Sequence, residues 1–327
     1  MQPEFQLDVG VIGVGSMGEN HTRVYNGLPT ANLVGVFDID ESRATAVADE
    51  YGVSPVALED LLASVDAVSV VVPTPTHEDV ATKCIDAGVA MLIEKPVVED
   101  PEVGRKLQSE ARAANVPVQV GHIERFNPAI QMLEELIGDL SIISISAERL
   151  GPPPGRVIED SAVLDLMIHD IDIVLSLLGE KPTRIQSSGV NGNRHATALL
   201  EFESGTMASL TASRLTQRKV RTLTVTAEEC VVELDYIDQS IEIHRQSVPE
   251  YVADNGDIRF KHESLVEQPR IPNEEPLRAE LASFLEAITS NEPPKVTIDD
   301  GITALEIAQQ IETLGTGDRL AAEVADD

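Results

Sequence analysis

Gly13-Val14-Gly15-Ser16-Met17-Gly18 lies between a short apolar run at 9–13 and a helical pattern that starts near Ser16. The three glycines match G-x-G-x-x-G in the strand-then-helix context that gives the pattern meaning. The first glycine permits a tight turn, the second lets a pyrophosphate approach the backbone, and the third lets helix and strand pack closely. The N–H groups that open the helix, at Ser16 and Met17, then face an anion. Such a loop reads as a dinucleotide site.

Asp38 ends the second apolar run, 20 residues after Gly18. A carboxylate in that place accepts from the ribose hydroxyls of NAD and repels the 2′-phosphate of NADP. The alternative is that Asp38 caps the helix beginning near Glu41. NAD is the expected cofactor, with NADP disfavoured.

From Asp8 to about Gly121, Val- and Ile-rich runs alternate with helical patterns, the signature of βαβ units around a parallel sheet. Strands are predicted at 9–13, 33–37, 67–72, 90–93 and 116–120. Helices start near Ser16, Glu41, His77 and Pro101, with Gly52 and Gly88 as helix ends. After Gly121 the texture changes: a helix at 127–137, an extended run at 142–148 and the loop Pro152-Pro153-Pro154-Gly155 open a second domain. A strong helix is expected at 160–178, where Leu164, Ile168, Ile171, Leu175 and Leu178 repeat at helical period and Gly179 stops it. Extended runs between Thr183 and His244, with turn signals at Asn191-Gly192-Asn193 and Ser204-Gly205, predict an antiparallel sheet. Helices at 276–289 and 301–314 finish the chain. The expected fold is α/β: a Rossmann domain over 1–121, then an α+β domain with a mainly antiparallel open sheet over 122–327.

Against 24 Lys and Arg stand 56 Asp and Glu, a net charge of −32. So acidic a surface repels nucleic acid and anionic membranes, which both need clustered positive charge. The acids are spread through every segment, as in Asp38-Ile39-Asp40-Glu41 and Asp299-Asp300. That distribution suggests a protein adapted to high salt, where self-repulsion is screened. No run approaches the roughly 18 apolar residues of a membrane helix, and the opening residues lack a basic, apolar leader. A cytoplasmic protein without nucleic-acid or membrane partners is expected. Cys84 and Cys230 are too few for a disulfide framework and lack the spacing of a zinc site.

Glu94-Lys95-Pro96 follows the apolar run 89–93. A lysine where a buried strand of an α/β sheet ends is placed to meet a bound molecule. Asp165, His169 and Asp172 fall at i, i+4 and i+7 of the 160–178 helix and share one stripe. His169 is either a proton acceptor steered by a neighbouring carboxylate or a partly buried histidine satisfied by the aspartate one turn earlier. A metal reading of these side chains finds no further ligand cluster, so no metal is expected.

The glycine loop, Pro73-Thr74-Pro75-Thr76-His77, Glu94-Lys95-Pro96, Gly121-His122, Asp165 to Asp172 and Val296-Thr297-Ile298-Asp299-Asp300-Gly301 occur in an order that resembles the Gfo/Idh/MocA oxidoreductases over nearly the full length. The resemblance implies oxidation of a sugar or polyol hydroxyl by hydride transfer to NAD. It implies that Lys95, Asp165 and His169 face the substrate, with His169 as general base, Lys95 as donor to the reacting oxygen and Asp165 orienting the imidazole. It further implies that Pro73, Thr74, His77, Glu94 and Lys95 line the cofactor, and that subunits pair through the second domain's sheet into dimers or tetramers. Met167 departs from the family, where glycine is common, and a bulkier side chain there is expected to reshape the pocket.

The stretch 121–129, with Arg125 and Asn127, looks like a branch of that family acting on UDP-N-acetylated hexoses at the C3 hydroxyl. A nucleotide sugar needs local cations for its diphosphate. Arg125, Arg149 and Arg156 are candidates, as is the cluster Arg214, Arg218, Lys219 and Arg221. Alternatively Arg125 pairs with Glu124 and the cluster is a solvated hairpin. A free aldose or polyol dehydrogenase and a non-catalytic NAD-binding sensor are the competing functions.

Overall fold

The computed structural model describes residues 6–138, 140–153, 161–246, 250–254, 257–261 and 263–323. Two compact units divide the chain: Met1–Phe126 with Glu274–Glu306, and Asn127–Asn273 with Ile307–Asp327.

In the first unit β1 (Leu7–Ile12), α1 (Ser16–Gly27), β2 (Ala31–Phe37), α2 (Glu41–Tyr51), β3 (Ser54–Pro55), α3 (Leu58–Leu62), β4 (Ala67–Val70), α4 (His77–Ala87), β5 (Ala90–Glu94), α5 (Pro101–Ala114) and β6 (Val118–Gly121) alternate along the chain. The six strands run parallel in the order β3-β2-β1-β4-β5-β6. Residues 67–70 and 90–93 are buried without alternation, as strands covered on both faces must be. The order reverses between β1 and β4, which opens a crevice at their carboxyl ends.

Helix ends follow local chemistry. The Asp40 side chain accepts from the N–H groups of Ser42 and Arg43 at the start of α2, and Asp100 accepts from Glu102 at the start of α5. Gly52 and Gly88, at φ 71° and 70°, end α2 and α4 in the left-handed conformation that glycine adopts without cost. The helix Pro276–Ser290 returns to this unit, where Leu277, Leu281, Phe284 and Leu285 join Val9, Val24, Tyr25, Val36 and Leu92 in one core. Gly301 lies against β6; a Cβ there would come within 2.9 Å of the Val120 side chain.

In the second unit α6 (Pro128–Ile137) leads into β7 (Ile142–Leu150). A wide π-helical turn at Val163–Met167 then continues into α7 (Ile168–Leu178), ended by Gly179 at φ 67°. Asp160, expected to open that helix, lies outside the described residues. β8 (Arg184–Val190), β9 (His195–Glu201), β10 (Met207–Ser213), β11 (Val220–Ala227), β12 (Val231–Asp235) and β13 (Ser240–Gln246) follow. β14 (Glu250–Asp254) pairs with β15 (Asp257–Lys261) in a two-stranded sheet, and β16 (Ser264–Glu267) is an edge of the main sheet. That sheet runs β16-β13-β12-β11-β7-β10-β9-β8. Every neighbouring pair is antiparallel except β7 with β10.

Alternating burial gives the sheet one packed face, with Ile145, Ala147, Ala198, Leu200, Leu210, Leu223 and Val225. The opposite face is rich in hydroxyls: Ser146 stands between Ser209 and Thr224, and Thr197 meets Thr211 at 3.1 Å. α8 (Pro276–Ser290), placed above, and α9 (Ile298–Glu323) complete the chain.

Candidate active site

β1 ends at Ile12 and the chain turns at Gly13, whose φ of 87° lies in the left-handed region. A Cβ on Gly13 would sit 2.5 Å from the Val71 carbonyl oxygen, and one on Gly18 would lie 1.8 Å from that of Gly13. Neither position admits a side chain. Among the described residues nothing lies within 4 Å of the atom added at Gly15, and Gly15 opens α1 with no side-chain cap for the first N–H groups. Two closed glycines around an open one, at an uncapped helix start, suit a pyrophosphate. Ser16 is exposed and Met17 half-buried on that first turn. These residues fit NAD.

Asp38 closes the cradle from the end of β2. It is buried; its Oδ2 accepts from the Val14 N–H at 2.8 Å and its Oδ1 from the Asp40 N–H at 2.9 Å. The capping of α2 falls to Asp40, which removes the capping alternative for Asp38. Arg43 Nη1 lies 3.3 Å from Asp38 Oδ2. Ile39, between the two aspartates, is 92% exposed, an apolar side chain beside Asp38 on which a flat base can rest. Sequence reading passes over both residues, because one isoleucine and one arginine in an acidic run carry no periodic signal.

Across the crevice Pro73 is exposed and Thr74 half-buried at a short 3-10 turn that follows β4. His77 is fully engaged by backbone: Nε2 lies 2.9 Å from the Val72 carbonyl oxygen, and Nδ1 lies 3.1 Å from that of Pro96. It ties the loop after β4 to the segment just beyond Lys95. Glu94 likewise turns inward. Its Oε1 meets His21 Nε2 at 3.1 Å and its Oε2 accepts from the Lys95 N–H at 3.2 Å. Burial pushes the Glu94 carboxyl up, but the hydrogen bond and charge of His21 and the charge of Lys95 prevail and hold it below the usual carboxylate range.

Lys95 itself is half-buried at the strand end. Its charge reaches His122, which burial first, then Lys95 and Arg125, push down to about 3. His122 is therefore neutral at physiological pH. Arg125 is buried in the 3-10 turn Ile123–Phe126.

In the second unit Asp165 rides on the π-helical turn, and its Oδ2 accepts from Arg214 Nη2. The wider turn changes the angular offset between Asp165 and positions beyond it, so the simple i, i+4 stripe does not describe the site. His169 is half-buried on the first turn of α7, and Asp172 is 2% exposed. Met167 is fully buried, so its side chain fills interior. Asp170, which sequence reading left unassigned, receives both Arg149 Nε and Nη2, at 2.9 and 2.8 Å. The Arg149 guanidinium also stacks 4.8 Å from the Tyr236 ring centroid.

These pairs sort the candidate cations. Arg149 and Arg214 are buried and committed to aspartates, and Arg221 donates to the Leu150 carbonyl oxygen at 2.7 Å. Arg218 and Lys219 remain exposed on the loop between β10 and β11. Asn127 caps α6 through its Oδ1 and donates from Nδ2 to the Tyr236 carbonyl oxygen at 3.1 Å, so its amide serves the fold. Arg156 lies outside the described residues.

Residues 7–122 match the family described as oxidoreductase family, NAD-binding Rossmann fold, and residues 131–233 match the GFO/IDH/MocA C-terminal domain. The UDP-N-acetylglucosamine 3-dehydrogenase of Acidithiobacillus ferrooxidans is 34% identical over 292 residues, covering 88% of this chain and 90% of that one. A solved structure of that enzyme aligns with a TM-score of 0.87 at 32% identity, over 95% of this chain and 97% of its own. The scyllo-inositol 2-dehydrogenase (NAD(+)) of Bacillus subtilis is 31% identical over 235 residues, 64% of this chain and 68% of that one.

Proposed function

The chain belongs to the GFO/IDH/MocA family of NAD-binding oxidoreductases, and on that premise we propose that it oxidises the C3 hydroxyl of UDP-N-acetylglucosamine, or of a related UDP-N-acetylhexose, to the ketone. One observation carries the substrate. Likeness to the UDP-N-acetylglucosamine 3-dehydrogenase extends over 88% of this chain, whereas likeness to the inositol enzyme extends over 64%.

When bound, NAD supplies the carbon that accepts hydride. The protein's residues manage the proton and the charge. His169 takes the hydroxyl proton as general base, a contribution of about 10²–10⁴-fold. Lys95 donates a hydrogen bond to the same oxygen as negative charge gathers there. Asp165 faces the sugar beside His169 and is held by Arg214. Arg125 and Arg156, with the exposed Arg218 and Lys219, serve the diphosphate, where fixed cations are needed in so acidic a chain. Subunits pair through the uncovered hydroxyl-rich face of the large sheet.

The test is NADH formation by the purified protein, in molar salt, with UDP-N-acetylglucosamine against myo-inositol and free N-acetylglucosamine. Turnover with the nucleotide sugar is expected, and His169→Ala should lower kcat by about 10²-fold or more while leaving the Kd for NADH unchanged. Turnover with inositol alone would replace the substrate. NADH binding without turnover on any sugar would leave a cofactor-binding sensor.

A further inference from the structure

We propose that His21 is a positioning residue for Lys95, acting through the carboxylate of Glu94. This rests on the reading of Lys95 as the group that meets the substrate oxygen. The inference starts from one carboxylate and what surrounds it. Glu94 is the last residue of β5, and its two oxygens are divided between His21 Nε2, at 3.1 Å, and the Lys95 backbone N–H, at 3.2 Å. The carboxylate thus joins the residue that precedes the lysine to the lysine's own peptide.

Three further observations show a built arrangement. His21 is completely buried, so its ring cannot exchange Glu94 for water. In the neighbouring strand Gly121 stands opposite Glu94, and a Cβ there would come within 3.1 Å of the carboxyl group. A side chain at 121 would press on Glu94, so the glycine leaves room for the carboxylate where it stands. The carboxylate also keeps its charge despite burial, through the hydrogen bond and charge of His21 and the charge of Lys95.

His21 stands on α1, the helix whose first turn carries Gly15, Ser16 and Met17. One rigid helix therefore presents the dinucleotide cradle at its N-terminus and, little more than a turn later, the ring that holds Glu94. Through that ring the backbone of Lys95 is referred to the same element as the cradle. A displacement of about 1 Å in a reacting group can cost about 10²-fold in rate, so holding Lys95 in this way has catalytic value. A buried histidine that only filled space would not need a charged acceptor bonded to the next residue's N–H.

The test is a double-mutant cycle on the full-length enzyme with UDP-N-acetylglucosamine and NAD, together with calorimetric titration of NADH. His21→Ala should lower kcat by about 10–100-fold with the Kd for NADH changed less than about threefold. His21→Gln, which keeps a donor near Nε2, should recover most of the loss. Combined with Lys95→Met, His21→Ala should cost little beyond Lys95→Met alone, because both remove one function. Losses that multiply, or a His21→Gln variant no better than His21→Ala, would overturn the positioning role. If His21→Ala does not fold, Glu94→Gln takes its place in the cycle under the same criteria. Near wild-type turnover of Lys95→Met would instead overturn the reading of Lys95, a separate result.

Discussion

The carboxylate of Asp38 accepts from the backbone N–H of Val14 at 2.8 Å, so the acid that ends β2 also holds the glycine turn that ends β1. Replacement of Asp38 therefore has two separable effects. Asp38→Asn keeps an acceptor for Val14 and loses the charge that repels a 2′-phosphate, while Asp38→Ala loses both. Both should lower the ratio of kcat/KM for NAD over NADP by about tenfold or more, since a hydrogen bond to a charged group is worth about 1.5–3 kcal/mol. Arg43, close to the same carboxylate, is then available to the phosphate. Asp38→Ala should also lower the melting temperature more than Asp38→Asn, which keeps one of the two oxygens that accept from the Val14 and Asp40 N–H groups. An unchanged ratio would return Asp38 to a purely structural task.

Arg149 and Asp170 form a bidentate pair, both nearly inaccessible, so breaking it leaves a buried charge. Arg149→Met should destabilise the protein by about 3–5 kcal/mol, whereas Arg149→Met with Asp170→Leu should recover most of that loss. Urea midpoints of the two variants decide it. Equal midpoints would mean that Arg149 matters through its stacking on Tyr236 instead.

What was legible in the sequence was local. Helix starts at Glu41 and Pro101, capped by Asp40 and Asp100, and stops at Gly52, Gly88 and Gly179 depend on neighbouring residues, and they occur where capping chemistry puts them. The parallel pairing of β7 with β10 depends on partners distant in the chain, and so does the return of Pro276–Ser290 to the first core. Neither leaves a local mark. The candidate site divides in the same way. Residue types at Gly13, Asp38, Lys95 and His169 could be picked out by position, but the partners of Asp165, Asp170 and Glu94 come from other elements, at Arg214, Arg149 and His21. The π-helical turn also breaks the period on which a helical stripe is drawn.

Glu280 gives a pH-dependent prediction. It is fully buried, and among the described residues neither carboxyl oxygen has a hydrogen-bond partner. Burial, then the charge of Glu94, raises its pKa well above the ordinary value. The folded protein keeps this proton where the unfolded chain, titrating near 4.3, has lost it. Its contribution to stability is full below about pH 4 and declines as pH rises toward the folded pKa. Glu280→Gln, which cannot ionise, should therefore raise the melting temperature by a few degrees at about pH 8, with the gain shrinking toward about pH 5. A constant difference across that range would mean that the carboxyl is ionised in the folded state.

The net charge of −32 gives the last prediction. Charges of one sign repel over roughly the Debye length, about 10 Å at 0.1 M and about 3 Å at 1 M salt. Salt also weakens exposed ion pairs such as Lys83–Glu59 and Lys106–Glu78, but each is worth only about 0–1 kcal/mol. With 56 acids and 24 Lys and Arg, most acids have no cation to lose, so relief of repulsion outweighs loss of pairing. The melting temperature should rise by several degrees between about 0.05 and 1 M KCl and then level off, because screening is nearly complete once the Debye length falls to about 3 Å. Stabilisation by exclusion of salt from the surface would instead keep growing beyond that point and be larger with sulfate. A flat or falling profile below 1 M would show that the acidic surface does not limit the fold.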